Sequence, residues 1–349
     1  MPIAKANILR LVRQAAKQLV YLCFLGISVL LLLELSYRWY VVDFYGNNLS
    51  SLNEKTELTS HKDATILVVG DSFSADRQSY VKSLRHQWPD YRVVNASIPG
   101  TCLRQHELFL PKRLQQFQPD LLLYQLYLGN DFLEFRPPVK SPNISLARRL
   151  YWLVSDYFLV IRFLNAKLPQ IRQATYHDLP TSADPKMADH FVPQQYSARS
   201  QMQFRAEPHL VHHSAQMMGQ RGDDGREITQ RLKRLLQEVP SNCQVVLLVI
   251  PHCLQVHQRY GERLAQIGAA QAPLHSITES NYPFVEYLRT ELADQRIHIA
   301  NPLGHFQEAE RQKQIYYAQD PHLNPGGQKI LGDFLVDFLQ KGGILGQAN

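Results

Sequence analysis

Apolar positions follow two patterns along the chain: one long unbroken run near the N-terminus, then short runs alternating with amphipathic stretches. The long run, Leu19 to Leu35, reads LVYLCFLGISVLLLLEL and is polar only at Glu34, near its far end. A helix of ~20 residues crosses a hydrocarbon core of ~30 Å. Tyr37, Trp39, Tyr40, Val41 and Val42 extend the run and supply an aromatic belt, so the pattern predicts a membrane-spanning helix over 19–42. The short runs begin at Thr65–Gly70 (TILVVG), followed by a helical stretch at Ser79–Trp88. Tyr91–Ala96 then precedes a helix at Glu107–Phe117, and Asp120–Leu128 forms a third run. Gln244–Ile250 is the fourth, followed by helices at Arg259–Ala270 and Phe284–Asp294. Arg296–Ala300 is the fifth, and Pro325–Leu339 closes the chain as a helix. Near-continuous apolar strands alternating with helices predict an α/β fold whose parallel sheet is covered on both faces. Ligands of such sheets bind beyond the carboxyl ends of the strands.

Two segments interrupt this alternation. Residues 43–63 are polar and read as a tether. Residues 136–225 form an insert between the third and fourth strands. Within it, Leu146–Leu168 predicts one helix, apolar over most of its circumference, that either packs on the domain or acts as a lid or interfacial helix. Asp156 and Arg162 argue against a second span. The stretch Thr181–His213 is polar and rich in His, Gln and Pro, which reads as a solvated loop. His209 and His213 stand four apart there, but little helical periodicity brings them to one face, and no metal site is expected.

Charge changes the picture mainly at the N-terminus. The formal net charge is +6, and Lys5, Arg10, Arg13 and Lys17 precede the long run with no acid among them. Against Arg38 alone just after the run, this places residues 1–18 in the cytoplasm and exports the body of the chain. A cleaved signal peptide is the rival reading, but no small-x-small site follows the run. No basic stripe interleaved with aromatics marks a nucleic-acid surface. Cys23 falls in the long run; Cys102, Cys243 and Cys253 leave room for one disulfide but do not make a disulfide scaffold.

Candidate chemistry gathers after the strands. Acyl transfer through serine needs a nucleophile, a base, a group that orients the base, and donors for the oxyanion. Ser72 follows the first strand in Gly70-Asp71-Ser72, where its hydroxyl projects from a strand-to-helix turn and its own N–H can face a carbonyl oxygen. Gly100 follows the second strand and allows close backbone approach, so its N–H is a second donor. Asn130, in Gly129-Asn130-Asp131, follows the third strand and offers a side-chain amide, while Asp131 holds the loop. His322, in Asp320-Pro321-His322, precedes the last helix and suits general-base work, with Asp320 near enough to fix its tautomer. Each residue alone is an ordinary turn or cap. A doubly wound sheet would gather all of them at one edge.

These residues resemble blocks of the SGNH/GDSL hydrolases, over roughly 64–135 and 241–339, and Val93–Ile98 is similar to bacterial periplasmic thioesterase and lysophospholipase members. The resemblance implies a flavodoxin-like α/β/α fold with a five-stranded parallel sheet in the order 2-1-3-4-5. It also implies a Ser72–His322–Asp320 triad, with Ser72, Gly100 and Asn130 as the oxyanion hole. Many members separate the aspartate and histidine by two residues; here only Pro321 intervenes, a spacing that looks more like that of SGNH-type proteins that modify exported polysaccharides. The expected organisation is a hydrolase domain over 64–340 and a tail over 341–349, held at the bacterial inner membrane on its periplasmic or extracellular side. The expected activity is hydrolysis of acyl esters on an envelope glycan or lipid. O-acyl transfer by the same triad, with a membrane acyl-donor protein as partner, is the alternative. A non-catalytic envelope scaffold and a nucleotide-binding domain are further classes; the intact residue set opposes the first and the lack of a glycine-rich loop opposes the second. No cofactor is expected.

Overall fold

In the computed structural model, the described residues are 2–59, 62, 64–174, 190–271, 277–279 and 281–345. They fall into two compact units: Met1–Phe44 with Val154–Thr175, and Tyr45–Leu153 with Tyr176–Asn349.

The first unit is built on α1 (Pro2–Arg38), whose segment Val12–Arg38 is long and apolar enough to cross a membrane. Leu19, Tyr21, Phe24 and Leu32 stand exposed along it, as a lipid-facing helix requires. Glu34 is the polar exception, and it is buried. Its carboxylate accepts the backbone N–H groups of Leu159 (3.1 Å) and Val160 (2.9 Å) and pairs with Arg38 at 2.5 Å. Those N–H groups open a helix, where a carboxylate satisfies unpaired donors and opposes the helix dipole. The single helix expected over 146–168 is accordingly two, α7 (Leu146–Tyr157) and α8 (Leu159–Ala174). Its break at Phe158 is invisible in the apolar pattern, because the cap lies more than a hundred residues away. On α7, Trp152 is buried while Leu146, Leu150, Leu153 and Tyr157 are exposed, so only part of the helix circumference is packed.

The second unit holds five parallel strands: β1 (Ala64–Val69), β2 (Tyr91–Asn95), β3 (Leu121–Tyr127), β4 (Gln244–Ile250) and β5 (Ile297–Ala300). Their order is β2-β1-β3-β4-β5, the arrangement expected of a flavodoxin-like sheet. β3 is buried at every position and β4 at all but its first, which explains why both read as unbroken apolar runs. Right-handed crossovers set α4 (Val81–Gln87) against α5 (Leu103–Phe117) on opposite faces, because the chain steps outward to β2 and then back to β3. α16 (Pro325–Lys341) packs against α4 and α15 (Leu303–Gln312); α11 (Gly219–Leu236) packs against α5 and α14 (Pro283–Glu291).

Three expectations need correction. The polar 43–63 segment is not a free tether: it forms α2 (Gly46–Leu52) and α3 (Lys55–Thr59), with Leu49 and Leu52 buried. Buried Asn53 then exchanges hydrogen bonds with the backbone of Asn95, donating to its carbonyl (2.8 Å) and accepting its N–H (2.7 Å). The described part of the supposed solvated loop, 190–213, contains α9 (Ala198–Ala206) and runs into α10 (Leu210–Ala215), burying Tyr196, Phe204, Leu210 and Val211; residues 181–189 lie outside the described set. His209 and His213 do share a face, their rings stacked at 5.1 Å. The cysteines are all free, so the possible bridge is not formed.

Candidate active site

The turn that carries Ser72 is locked from below. Asp71 N–H and Ser74 Oγ both donate to Gln125 Oε1 of β3, each at 3.0 Å. Asp71 Oδ1 accepts the N–H of Phe73 at 3.0 Å, and the Asp71 carbonyl accepts from Ala75. Gly70 makes this possible, since a Cβ there would lie 2.3 Å from Gln125 Oε1. The result lifts Ser72 to the carboxyl edge of the sheet while Phe73 and Ser74 are buried beneath it.

His322 approaches from the opposite side on the loop between α15 and α16. That loop is tied like a short hairpin: Tyr317 N–H donates to His322 O (3.0 Å), and Asn324 N–H to Ile315 O (2.9 Å). Asn324 also caps α16 by accepting the N–H of Gly327 at 2.9 Å. Within the loop, Asp320 Oδ1 accepts the backbone N–H of His322 at 2.9 Å and the same oxygen meets His322 Nδ1. One intervening residue is therefore enough for the carboxylate to turn back onto the ring. His322 Nε2 lies 2.7 Å from Ser72 Oγ. With Nδ1–H given to the carboxylate, Nε2 is left as the acceptor of the serine proton.

Of the remaining candidates, Gly129 and Asn130 line one cavity with Ser72 and His322, whereas Gly100 and Asp131 are not among its lining residues. Gly129 is required by the ring of Tyr127, whose atoms would stand about 2.5 Å from any Cβ. Asp131 does not reach the cavity; its Oδ2 accepts the N–H of Tyr127 at 2.7 Å and so holds the turn after β3. Burial, reinforced by the nearby Asp71 charge, raises the Asp131 carboxyl well above the usual carboxylate range. Asp71 is raised too, chiefly by burial, against the lowering effects of the Phe73 N–H, the His322 charge, and the Gln125 and Asn130 side chains. Gly100 has φ +71°, a conformation favouring glycine, and the Arg199 guanidinium stands 3.6 Å from where a Cβ would sit.

Arg199 belongs to a wall that sequence reasoning missed. Ser197, Arg199, Ser200, Gln203 and Phe204, all from the insert, line the cavity beside Ser72, together with His252. Arg199 pairs with Glu134 of α6 (Asp131–Phe135), directly after Asn130. Ser197 N–H donates to Gln319 O at 3.0 Å, fixing the insert to the residue before Asp320. Aromatic contacts run from His322 through Phe73 (4.8 Å), Tyr127 (4.2 Å) and His252 (5.9 Å) to Phe204 (5.9 Å). Burial pushes His252 down to about 3, and its Nδ1 accepts the N–H of Leu254. His252 follows β4 directly, so the rule that pointed to the other strand ends could have pointed to it. Larger clefts of about 430 and 710 Å³ lie elsewhere, and neither is lined by Ser72 or His322. The cavity at Ser72 is small, about 50 Å³. Among the described residues, no cluster of three or more metal-ligating side chains occurs.

No family model matches the chain. It is 28% identical over 137 residues to an arylesterase of Vibrio mimicus, spanning 36% of this chain and 66%, just under two thirds, of that protein. Among solved structures, TesA covers 80% of this chain and 99% of its own at 18% identity and a TM-score of 0.41. A catalytic mutant of Axe2, an acetylxylan esterase from Geobacillus stearothermophilus, covers 81% and 96% at 12% identity and 0.41. The chain is thus similar in sequence to the arylesterase over part of its length, and its β2-β1-β3-β4-β5 sheet carries the Gly-Asp-Ser turn that faces His322.

Proposed function

We propose that the chain is a serine-dependent carboxylic ester hydrolase, held at a membrane by α1, that acts on acyl esters of an envelope glycan or lipid. The observation that carries this reading is the 2.7 Å contact between Ser72 Oγ and His322 Nε2, with Asp320 on the far ring nitrogen. In the first half-reaction, His322 takes the hydroxyl proton as Ser72 Oγ bonds to the acyl carbon. The carbonyl oxygen becomes an oxyanion, met by the N–H groups of Ser72 and Gly100 and the Asn130 amide. Collapse of this intermediate breaks the ester C–O bond, and His322 returns the proton to the departing alcohol. In the second half-reaction, water attacks the acyl-serine and gives a proton to His322; the acyl–Oγ bond then breaks, His322 returns the proton to Ser72 Oγ, and the acid leaves. Asp320 keeps the proton on Nδ1 throughout and stabilises the imidazolium that forms. The exposed apolar surface of α1 supports a substrate found at an envelope rather than a cytosolic metabolite.

The test is hydrolysis of short-chain aryl esters by the full-length protein in detergent, with Ser72→Ala as the comparison. We expect kcat to fall by at least about 10³-fold in the variant, since removal of a serine nucleophile disables the whole triad. Equal rates in the two proteins would remove Ser72 from the chemistry.

A further inference from the structure

Residues of the insert form one wall of a small cavity beside Ser72. We infer that Phe204 and Leu210 limit the substrate to acetyl or propionyl esters, the alcohol part lying outside. This deepens the proposed hydrolase reading and rests on it.

The argument is one of volume and rigidity. Space for water-sized centres beside Ser72 amounts to about 50 Å³. By the same measure the other clefts hold about 430 and 710 Å³, so the space beside Ser72 suits only a short acyl chain next to the carbonyl oxygen. The apolar boundary of that space is Phe204 and Leu210 from the insert, with Tyr127 and His252 from the ends of β3 and β4. All four are at most 5% exposed, so none gives way by swinging into solvent. Phe204 is braced edge-on against His252, which lies stacked on Tyr127. A longer chain directed at this wall would have to displace packed rings, and overpacking of this kind is unfavourable. A glycan or lipid alcohol is far larger than the cavity and must extend away from it. Of the two halves of the ester, the acyl half is therefore the one the enclosed space selects.

Two substrate series separate the halves. In p-nitrophenyl esters from acetate to hexanoate, kcat/KM is expected to fall at least tenfold between propionate and hexanoate. In acetate esters of ethanol, hexanol and naphthol, it is expected to change by only a few-fold. Phe204→Ala should raise the hexanoate-to-acetate ratio at least tenfold, and Leu210→Ala should raise it if the first variant does not fold. A flat or rising acyl series in the wild type overturns the inference, as does a steep alcohol series beside a flat acyl one. An unchanged ratio in a folded Phe204→Ala protein overturns it as well. The two readings fail separately: esters turned over without acyl-length preference defeat only the acyl limit, whereas no turnover of any ester defeats the hydrolase reading and this one together.

Discussion

The carboxyl edge of the sheet and the helices of the insert face each other across one cavity, and they are held by different kinds of force. On the sheet side, Ser72 and Asn130 each sit three residues past a buried strand and His322 on the loop before α16, all on turns fixed by short hydrogen bonds. Gln125 grips the Ser72 turn, Asp131 grips the Asn130 turn, and the Tyr317–His322 pairing grips the histidine loop. On the insert side, attachment comes from scattered polar ties and a few aromatic contacts. Ser197 reaches Gln319, Arg199 reaches Glu134, and Phe204 leans on His252. The first side has the rigidity that a reacting constellation needs. The second is suited to setting which substrates enter, because substitutions there alter the wall without moving the nucleophile.

That contrast can be broken at three points, in falling order of effect. Asp320→Asn keeps the shape of the loop but supplies no anion and favours the wrong imidazole tautomer. We expect kcat for an aryl ester to fall by about 10³-fold, within the range for such changes, with little change in KM. A fall of less than tenfold would show that Asp320 does not orient the base.

His252→Asn probes the seam where the two sides meet. In the folded protein His252 titrates at about 3, against 6.5 for a free imidazole. Between those values the unfolded chain binds a proton that the folded chain does not, so stability is retained above about pH 6.5 and lost as pH falls toward about 3. One group contributes up to about 1.4 kcal/mol per pH unit to that slope. Asparagine can accept the Leu254 N–H without titrating, so denaturation midpoints of the variant should depend on pH correspondingly less between 6.5 and 4. Identical slopes would mean that His252 is protonated in the folded state.

Arg199→Ala removes the ion pair between the insert and α6. The Arg199 side chain is 47% exposed, so the pair is screened and its loss should cost no more than about 1 kcal/mol of stability. KM is expected to rise a few-fold with kcat nearly unchanged. A drop in kcat of a hundredfold or more would move Arg199 from the wall into the stabilisation of the oxyanion at Gly100.

The same contrast explains what could be read in the sequence. Strands buried on both faces leave unbroken apolar runs, and polar residues just after them stand out; Ser72, Gly100 and Asn130 were legible for that reason. His322 and Asp320 were legible from their place before a helix opened by Asn324 and Pro325. The insert left no such trace. Phe204 sits on a nine-residue helix with only three buried residues, and its role depends on His252, distant in sequence. The break between α7 and α8 likewise depends on Glu34, which in the sequence looked like a lone polar residue near the end of a span. Short-range periodicity carries no information about partners of this kind.

The central claim is that Ser72 forms a covalent acyl intermediate. Its most direct test is reaction of the full-length protein with a p-nitrophenyl alkylphosphonate, followed by peptide mass spectrometry. We predict release of one equivalent of p-nitrophenolate, a single phosphonyl adduct on the peptide at Ser72, and no adduct in Ser72→Ala. An adduct on another serine such as Ser74 or Ser97, or undiminished ester hydrolysis with Ser72 unlabelled, would contradict the account.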